Sequence, residues 1–129
     1  MAEPNTHLAI SPRLCGEPVT LEEGRAVVRL KTLDEMRADA QGLVHGGFVF
    51  GAVDYAAMLA VNDPNVVLGS ADVRFTAPVK VGDEVEATAE RVEQSGKKHR
   101  LEVRATVGDR EVLKGTLTAF VLDAHVLEG

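Results

Sequence analysis

The stretch from Gly42 to Asn62, GLVHGGFVFGAVDYAAMLAVN, limits most severely what this chain can fold into. It opens with a histidine and two glycines, then runs apolar for about four helical turns. Between Gly46 and Val61 the only charged residue is Asp54. The spacing predicts a helix from Gly46 or Gly47 to about Asn62. Pro64 prevents continuation, and Asp63 before it is disfavoured in the helical region. A helix that is apolar on nearly every side has to be surrounded. The small residues Gly51, Ala52, Ala56, Ala57 and Ala60 would let a sheet or a partner helix come close. A lone carboxylate in such a setting is costly unless it is paired, hydrogen-bonded or kept wet.

The flanking sequence supplies the surroundings. Residues Gly16 to Leu21 and Arg25 to Leu33 read as a hairpin turned at Glu22–Gly24. Asp34 to Gln41 is polar and aperiodic, a loop or one helical turn. After the helix come four strand-like segments: Val66–Ala77, Glu84–Gln94, Lys98–Val107 and Glu111–Leu122. In the second of these Val85, Ala87, Ala89 and Val92 fall mostly on one face, and in the third Leu101, Val103, Ala105 and Val107 alternate strictly. Short turns between sequential antiparallel strands predict a meander. Residues 1–15 read as an irregular lead with at most a short turn of helix, and Asp123–Gly129 as a frayed tail. With no repeat or linker in view, residues 1–129 form a single α+β domain. A curved antiparallel β-sheet wrapped around one long central α-helix is the hotdog fold.

Composition narrows the function. A net charge of −6 over 129 residues, with pI near 5.2, argues against a nucleic-acid-binding face. An anionic ligand must therefore be received locally. Cys15 is the only cysteine, which excludes an intramolecular disulfide and a Cys-rich metal site and suits a reducing, cytoplasmic setting. No signal-peptide pattern opens the chain. Phe48 to Val61 is too short for a membrane span and contains Asp54. His7, His99 and His125 lack acidic or cysteine partners at ligand spacing, so neither a metal nor a cofactor is expected.

Two glycines at a helix start leave the first backbone N–H groups open to a ligand, at the positive end of the helix dipole. Such a terminus can receive a phosphate, or the oxyanion formed when a thioester carbonyl is attacked. Asp54 lies seven residues beyond Gly47, on nearly the same face and roughly 10 Å along the axis. That is too far for both to act on one carbonyl within one chain. If both act, the acid comes from a second, antiparallel copy of the helix, and the protein is a homodimer with two equivalent interface sites. Each feature has a structural explanation when taken singly: a tight turn for the glycines, a satisfied buried acid for Asp54, packing or capping for His45. Their coincidence at this spacing is what calls for chemistry.

HGGFVFGAVDYAAMLAVN resembles the signature of hotdog-fold acyl-CoA thioesterases of the phenylacetate-pathway, PaaI-like type, and RFTAPVKVGDEVEA (Arg74–Ala87) resembles the same family's strand and Gly-Asp turn. The resemblance covers about residues 20–122. It implies that Asp54 is nucleophile or general base, that the Gly47 N–H polarises the thioester carbonyl, and that His45 positions the loop beside Gly46. The family often carries Asn six residues before the histidine, where this chain has Asp39, so an amide donor is replaced by an acceptor. A Ser or Thr after the helix commonly supports the attacking water; Ser70 is the candidate, with Asp72 next on the same strand face. LGSADVRFTAPVKVGDEV and VGDREVLKGTLTAFV also resemble the malonyl-thioester-sensing domain of a bacterial fatty-acid synthesis repressor. That resemblance implies an alternative, an acyl-CoA binder without turnover. Lys97, Lys98 and Arg100 form, with His99, the one basic cluster, either a solvated turn or a contact for CoA phosphates. Tyr55 either packs or lines the acyl pocket. The sequence thus predicts a cytoplasmic acyl-CoA or acyl-ACP thioesterase, a homodimer or a dimer of dimers, with no nucleic-acid or membrane partner.

Overall fold

The computed structural model describes residues 1–129. Its elements in order are a short helix α1 (Pro12–Cys15), β1 (Glu17–Glu22), β2 (Arg25–Lys31), a 3-10 turn (Asp34–Met36), the long helix α2 (Gly46–Val61), β3 (Val66–Phe75), β4 (Glu84–Ser95), β5 (Lys98–Val107), β6 (Arg110–Val121) and a 3-10 turn (Val126–Glu128). All six strands join one antiparallel sheet, which wraps α2 as the hotdog pattern requires.

Strand order departs from a simple meander. It runs β1-β2-β4-β5-β6-β3, so β3 pairs with β6 at the far edge and not with β4. The reason lies in the connection: residues 76–83 make no tight turn, and residues 42–44 pair with them. Val44 N–H donates to Val79 O (2.8 Å) and Val81 N–H to Gly42 O (2.8 Å). The PVKVGD segment is thereby fastened to the loop that launches α2. Thr32, itself buried, holds the turn by donating to Asp83 O (2.6 Å) and accepting from Gly82 N–H (2.9 Å).

The strands alternate as the 2-residue period demands, with Leu101, Val103 and Ala105 of β5 turned onto α2. Four register shifts interrupt the pairing, and two of them move residues named above. In β4 the pairing slips between Arg91 and Glu93, which leaves Val92 exposed at the bulge and off the face it was expected to share. In β3 it slips between Leu68 and Ser70. A side chain on Gly69 would meet the Phe120 ring at 2.4 Å and would have to displace it.

The N-terminal lead is more ordered than its composition suggests. Ser11 caps α1, with its Oγ accepting from Leu14 N–H. Ala2 N–H donates to Leu21 O (2.9 Å), and Asn5 N–H to the Asn62 side chain (2.7 Å).

Candidate functional site

The start of α2 is built to stay open. His45 occupies the N-cap position, but its side chain makes no capping hydrogen bond. Its own N–H is used on Met36 O (2.9 Å), which leaves the ring exposed beside the helix terminus. Phe48 N–H closes the first turn onto His45 O (3.1 Å), while the N–H groups of Gly46 and Gly47 find no acceptor in the chain. A side chain at either position would crowd a neighbouring ring. A Cβ on Gly46 would come within 3.3 Å of the Phe75 ring, and one on Gly47 within 3.1 Å of the His45 ring. Free donors, two turns of aligned peptide dipoles behind them and no covering side chain make an anion-accepting terminus.

Gly47, Gly51 and Asp54 share one stripe of α2, and it is the stripe the rest of the chain leaves partly uncovered. A Cβ built on Gly51 meets nothing within 4 Å. Elsewhere the helix is sealed: Ala52, Val53, Ala56, Ala57 and Leu59 are completely buried. Asp54 is half-buried, and its Oδ1 is shielded from solvent with no hydrogen-bond partner in the chain. Burial pushes its carboxyl pKa above the ordinary aspartate range, and the His7 imidazole opposes that shift. Asp54 and the Gly47 N–H stay roughly 10 Å apart along one helix.

His7 is the residue that sequence reasoning missed. Its ring lies 6.1 Å from that of Tyr55, and its Nδ1 is 2.8 Å from Thr6 Oγ1. Its backbone is left-handed (φ 56°), a conformation a β-carbon disfavours. The lead, tied to Leu21 and Asn62, brings this imidazole to Asp54 from 47 positions upstream, which no local spacing could reveal. Cys15 feels the acid's charge: burial first, and then the Asp54 charge, push its thiol up. Tyr55 is buried against His7, and its phenol is pushed up by burial.

The other expected residues are scattered. Asp39 is exposed, and its Oδ1 is taken by Gln41 N–H (3.0 Å) and Leu43 N–H (3.1 Å), so the carboxylate holds its own loop. The bulge at Gly69 reverses the faces of β3. Ser70 pairs with Thr118 and Asp72 with Thr116 on the outer side of the sheet, away from α2, so neither can support chemistry at the helix of its own chain. The basic cluster sits at the β4–β5 turn, near the C-terminal end of α2. Lys97 is paired with Asp123 (2.6 Å) and Arg100 lies 3.8 Å from Glu93, leaving Lys98 unpaired. His99 turns inward, and burial lowers its pKa. An apolar groove of about 380 Å³ opens beside Gly46, lined among others by Leu43, Val49, Phe75 and Val112. No three His, Cys, Asp or Glu side chains gather as a metal site would need.

Residues 41–114, which carry the HGG loop, α2 and most of the sheet, match the family model described as the thioesterase superfamily. The chain belongs to that superfamily. An uncharacterized protein of Pyrococcus horikoshii shares 53% identity and superposes with a TM-score of 0.96, over 98% of this chain and 97% of that one. The methylthioribose-1-phosphate isomerase of Aquifex aeolicus is 52% identical over 92% of this chain, which spans only 26% of that protein's length. Transcription factor FapR of a Thermoanaerobacter species is 29% identical over 88% of this chain and 57% of its own length, which bears out the likeness to a repressor. The PaaI-like resemblance is met by a mutant of the phenylacetic acid degradation protein PaaI of Thermus thermophilus: 30% identity, TM-score 0.77, 84% of this chain and 95% of that one. A hypothetical thioesterase of Streptococcus pneumoniae, crystallised with coenzyme A, has 25% identity and a TM-score of 0.75 over 84% of this chain and 87% of that one. No helix of the superfamily member described here is long and apolar enough to cross a membrane.

Proposed function

We propose that this protein hydrolyses the thioester of an acyl-CoA or acyl-ACP at a site shared by two antiparallel copies of α2. The observation that carries the reading is the open stripe of that helix, where unpartnered N–H groups at Gly46 and Gly47 stand two turns from a half-buried carboxylate with an unpartnered oxygen. The Gly47 N–H donates to the thioester carbonyl. Asp54 of the other protomer takes a proton from water as the water attacks the carbonyl carbon, or attacks that carbon itself to give, after loss of the thiolate, a mixed anhydride that water then hydrolyses. The oxyanion collapses with cleavage of the C–S bond, and the thiolate leaves and is protonated. Burial raises the basicity of Asp54, and the nearby His7 imidazole opposes part of that rise. The acyl chain enters the groove beside Gly46.

The antiparallel arrangement also suits the cations. Lys97, Lys98 and Arg100 lie near the C-terminal end of α2 in their own chain, so a partner helix running the other way carries them towards the Gly47 end, where CoA phosphates could meet them. The scheme uses no metal or cofactor. The Streptococcus relative crystallised with coenzyme A supports the ligand class.

The FapR likeness, which spans 88% of this chain, favours a second reading, acyl-CoA binding without turnover. Steady-state hydrolysis of an acyl-CoA panel by wild type and Asp54→Asn separates the two. Turnover lost in the variant with binding retained supports the thioesterase. Binding without turnover by the wild type selects the sensor, and a protein that stays monomeric at assay concentrations defeats the shared site.

A further inference from the structure

Asp54 and His99 are the two side chains with a buried polar atom that nothing in the chain satisfies. Asp54 belongs to the open stripe of α2, whereas His99 stands near the C-terminal end of that helix. It faces inward from β5 and is 5% exposed. Neither of its ring nitrogens finds a partner in the chain, and Nδ1 is sealed from solvent altogether. The rings of His7 and His125, by contrast, each make a hydrogen bond. Arg91 of β4 lines the same cavity. Its side chain is 20% exposed, less than that of any other arginine in an ion pair. Arg29, Arg37 and Arg110 all donate hydrogen bonds to oxygens, yet the Arg91 guanidinium donates none. Its one ion pair, to Glu23 Oε1 at 3.7 Å, lies beyond hydrogen-bond reach. A guanidinium and an imidazole, both largely withdrawn from water, thus border a cavity of about 290 Å³ with no acceptor between them. Donors left unpaired in such a place cost stability unless something fills it.

We propose that this cavity binds a small monocarboxylate, held by the Arg91 guanidinium and the His99 imidazole, with its short apolar stem between Val61 and Val121. The guanidinium fork matches a carboxylate, and the two valines, both partly buried, supply the apolar walls. The volume is at the lower limit for ligand pockets, which suits an acid of a few carbons. The surrounding charges select a single negative charge. Lys97 at the rim is already paired with Asp123 (2.6 Å). Burial first, and then the Arg91 charge, hold His99 below the ordinary histidine range against the pull of Asp63, so the ring enters as a neutral donor. Asp63, whose Oδ1 accepts from Asn65 N–H (2.8 Å), and the negative pole of α2 stand on the same side and repel a phosphate dianion. Glu23 is the built-in competitor. Its side chain is 91% exposed, and its carboxylate faces Arg91 without coming close enough to bond. The carboxylate site needs neither Asp54 nor Gly47, so it stands whether or not the protein hydrolyses thioesters.

Titration of the full chain with sodium butyrate, followed by NMR of the imidazole nitrogens, reads the site directly. The His99 signals are assigned by their absence from His99→Gln. They should shift to saturation while those of His7, His45 and His125 stay in place. Arg91→Gln should weaken binding at least about tenfold, and Arg91→Lys should not restore it, because an ammonium lacks the fork. Glu23→Gln removes the competitor and should tighten binding severalfold. A bound carboxylate favours the protonated ring, so affinity should rise as pH falls below neutrality. That rise should persist in Glu23→Gln and vanish in His99→Gln, which separates His99 from the other ionisable groups around it, Glu23, Asp63, Lys97 and Asp123. Melting curves check that each variant stays folded, and Glu23→Gln, at an exposed side chain, keeps the test decisive if Arg91→Gln does not fold. His99 signals that never move, or that drift without saturating and do so equally in Arg91→Gln, mean that water alone fills the cavity and overturn the proposal. Inorganic phosphate bound as tightly as butyrate overturns it too.

Discussion

The two ends of α2 are finished in opposite ways. At the C-terminal end Asn62 adopts a left-handed conformation (φ 56°), its N–H closes onto Met58 O (2.8 Å), and its side chain accepts from Asn5 N–H and donates to Glu3 O (3.0 Å). The Asn62 side chain thus ties this end of the helix to the N-terminal lead, and Ala60 O accepts from Gly24 N–H of the β1–β2 turn. At the N-terminal end two N–H groups are left without a partner and the N-cap side chain makes no capping hydrogen bond. A helix end buried or left without caps forfeits stability that natural sequences usually collect. One end therefore serves the fold, and the other is kept free for a ligand.

Substitutions along α2 should separate the two roles. The largest effect is expected between the ends: Asp54→Asn should lower kcat by about 10²–10⁴-fold, the usual worth of a positioned base, in steady-state thioester hydrolysis. Next, Gly47→Ala should cut kcat/KM by roughly 10- to 100-fold by pressing the His45 ring against the N–H, less than the roughly 10²–10³-fold for complete loss of one oxyanion donor. Its melting temperature should hold or rise, because alanine favours a helix by about 1 kcal/mol over glycine. At the other end Asn62→Ala should do the reverse, costing about 1–2 kcal/mol in denaturant unfolding through a strained left-handed residue and two lost hydrogen bonds while leaving kcat/KM nearly intact. If both end variants lost activity and stability in proportion, the division between the ends would be wrong.

Two smaller effects follow from the charge on Asp54. In the unfolded chain it ionises in the ordinary aspartate range, and in the fold it keeps its proton to higher pH. Ionising it therefore costs stability as pH rises from the unfolded value through the folded one, with no cost below the first and the full cost above the second. The stability advantage of Asp54→Asn over wild type should be absent in acid and grow towards neutrality, as thermal melts across pH would record. Removing the opposing imidazole with His7→Gln should push the acidic limb of the kcat/KM profile to higher pH; an unmoved limb would mean that His7 only packs on Tyr55.

Much of this was legible in the chain itself. Gly46–Gly47 at one end and Asn62, Asp63 and Pro64 at the other delimit α2, and alternation in residues 101–107 fixes which face of β5 is inward. What stayed hidden depended on distant partners. The place of β3 at the sheet edge is set by its pairing with β6 some 45 positions on, and no local signal marks that choice. The family resemblance points to Ser70 and Asp72, but one extra residue at Gly69 sets both on the outer side of the sheet. His7 reaches Asp54 only because backbone hydrogen bonds at Ala2 and Asn5 pin the lead across the domain. The mutual distance of Gly47 and Asp54, by contrast, follows from helix geometry alone, and with it the requirement for a second chain.

The bulge at Gly69 makes the protein far more sensitive to length than to composition at that point. Substitution there meets the Phe120 ring and disturbs a contact. Deletion would slide the remainder of β3 by one position, turning Asp72 and Arg74 inward against the helix and Ala71 and Val73 out to solvent. A single lost codon would thus strip charges from one surface of the sheet and press them into the other.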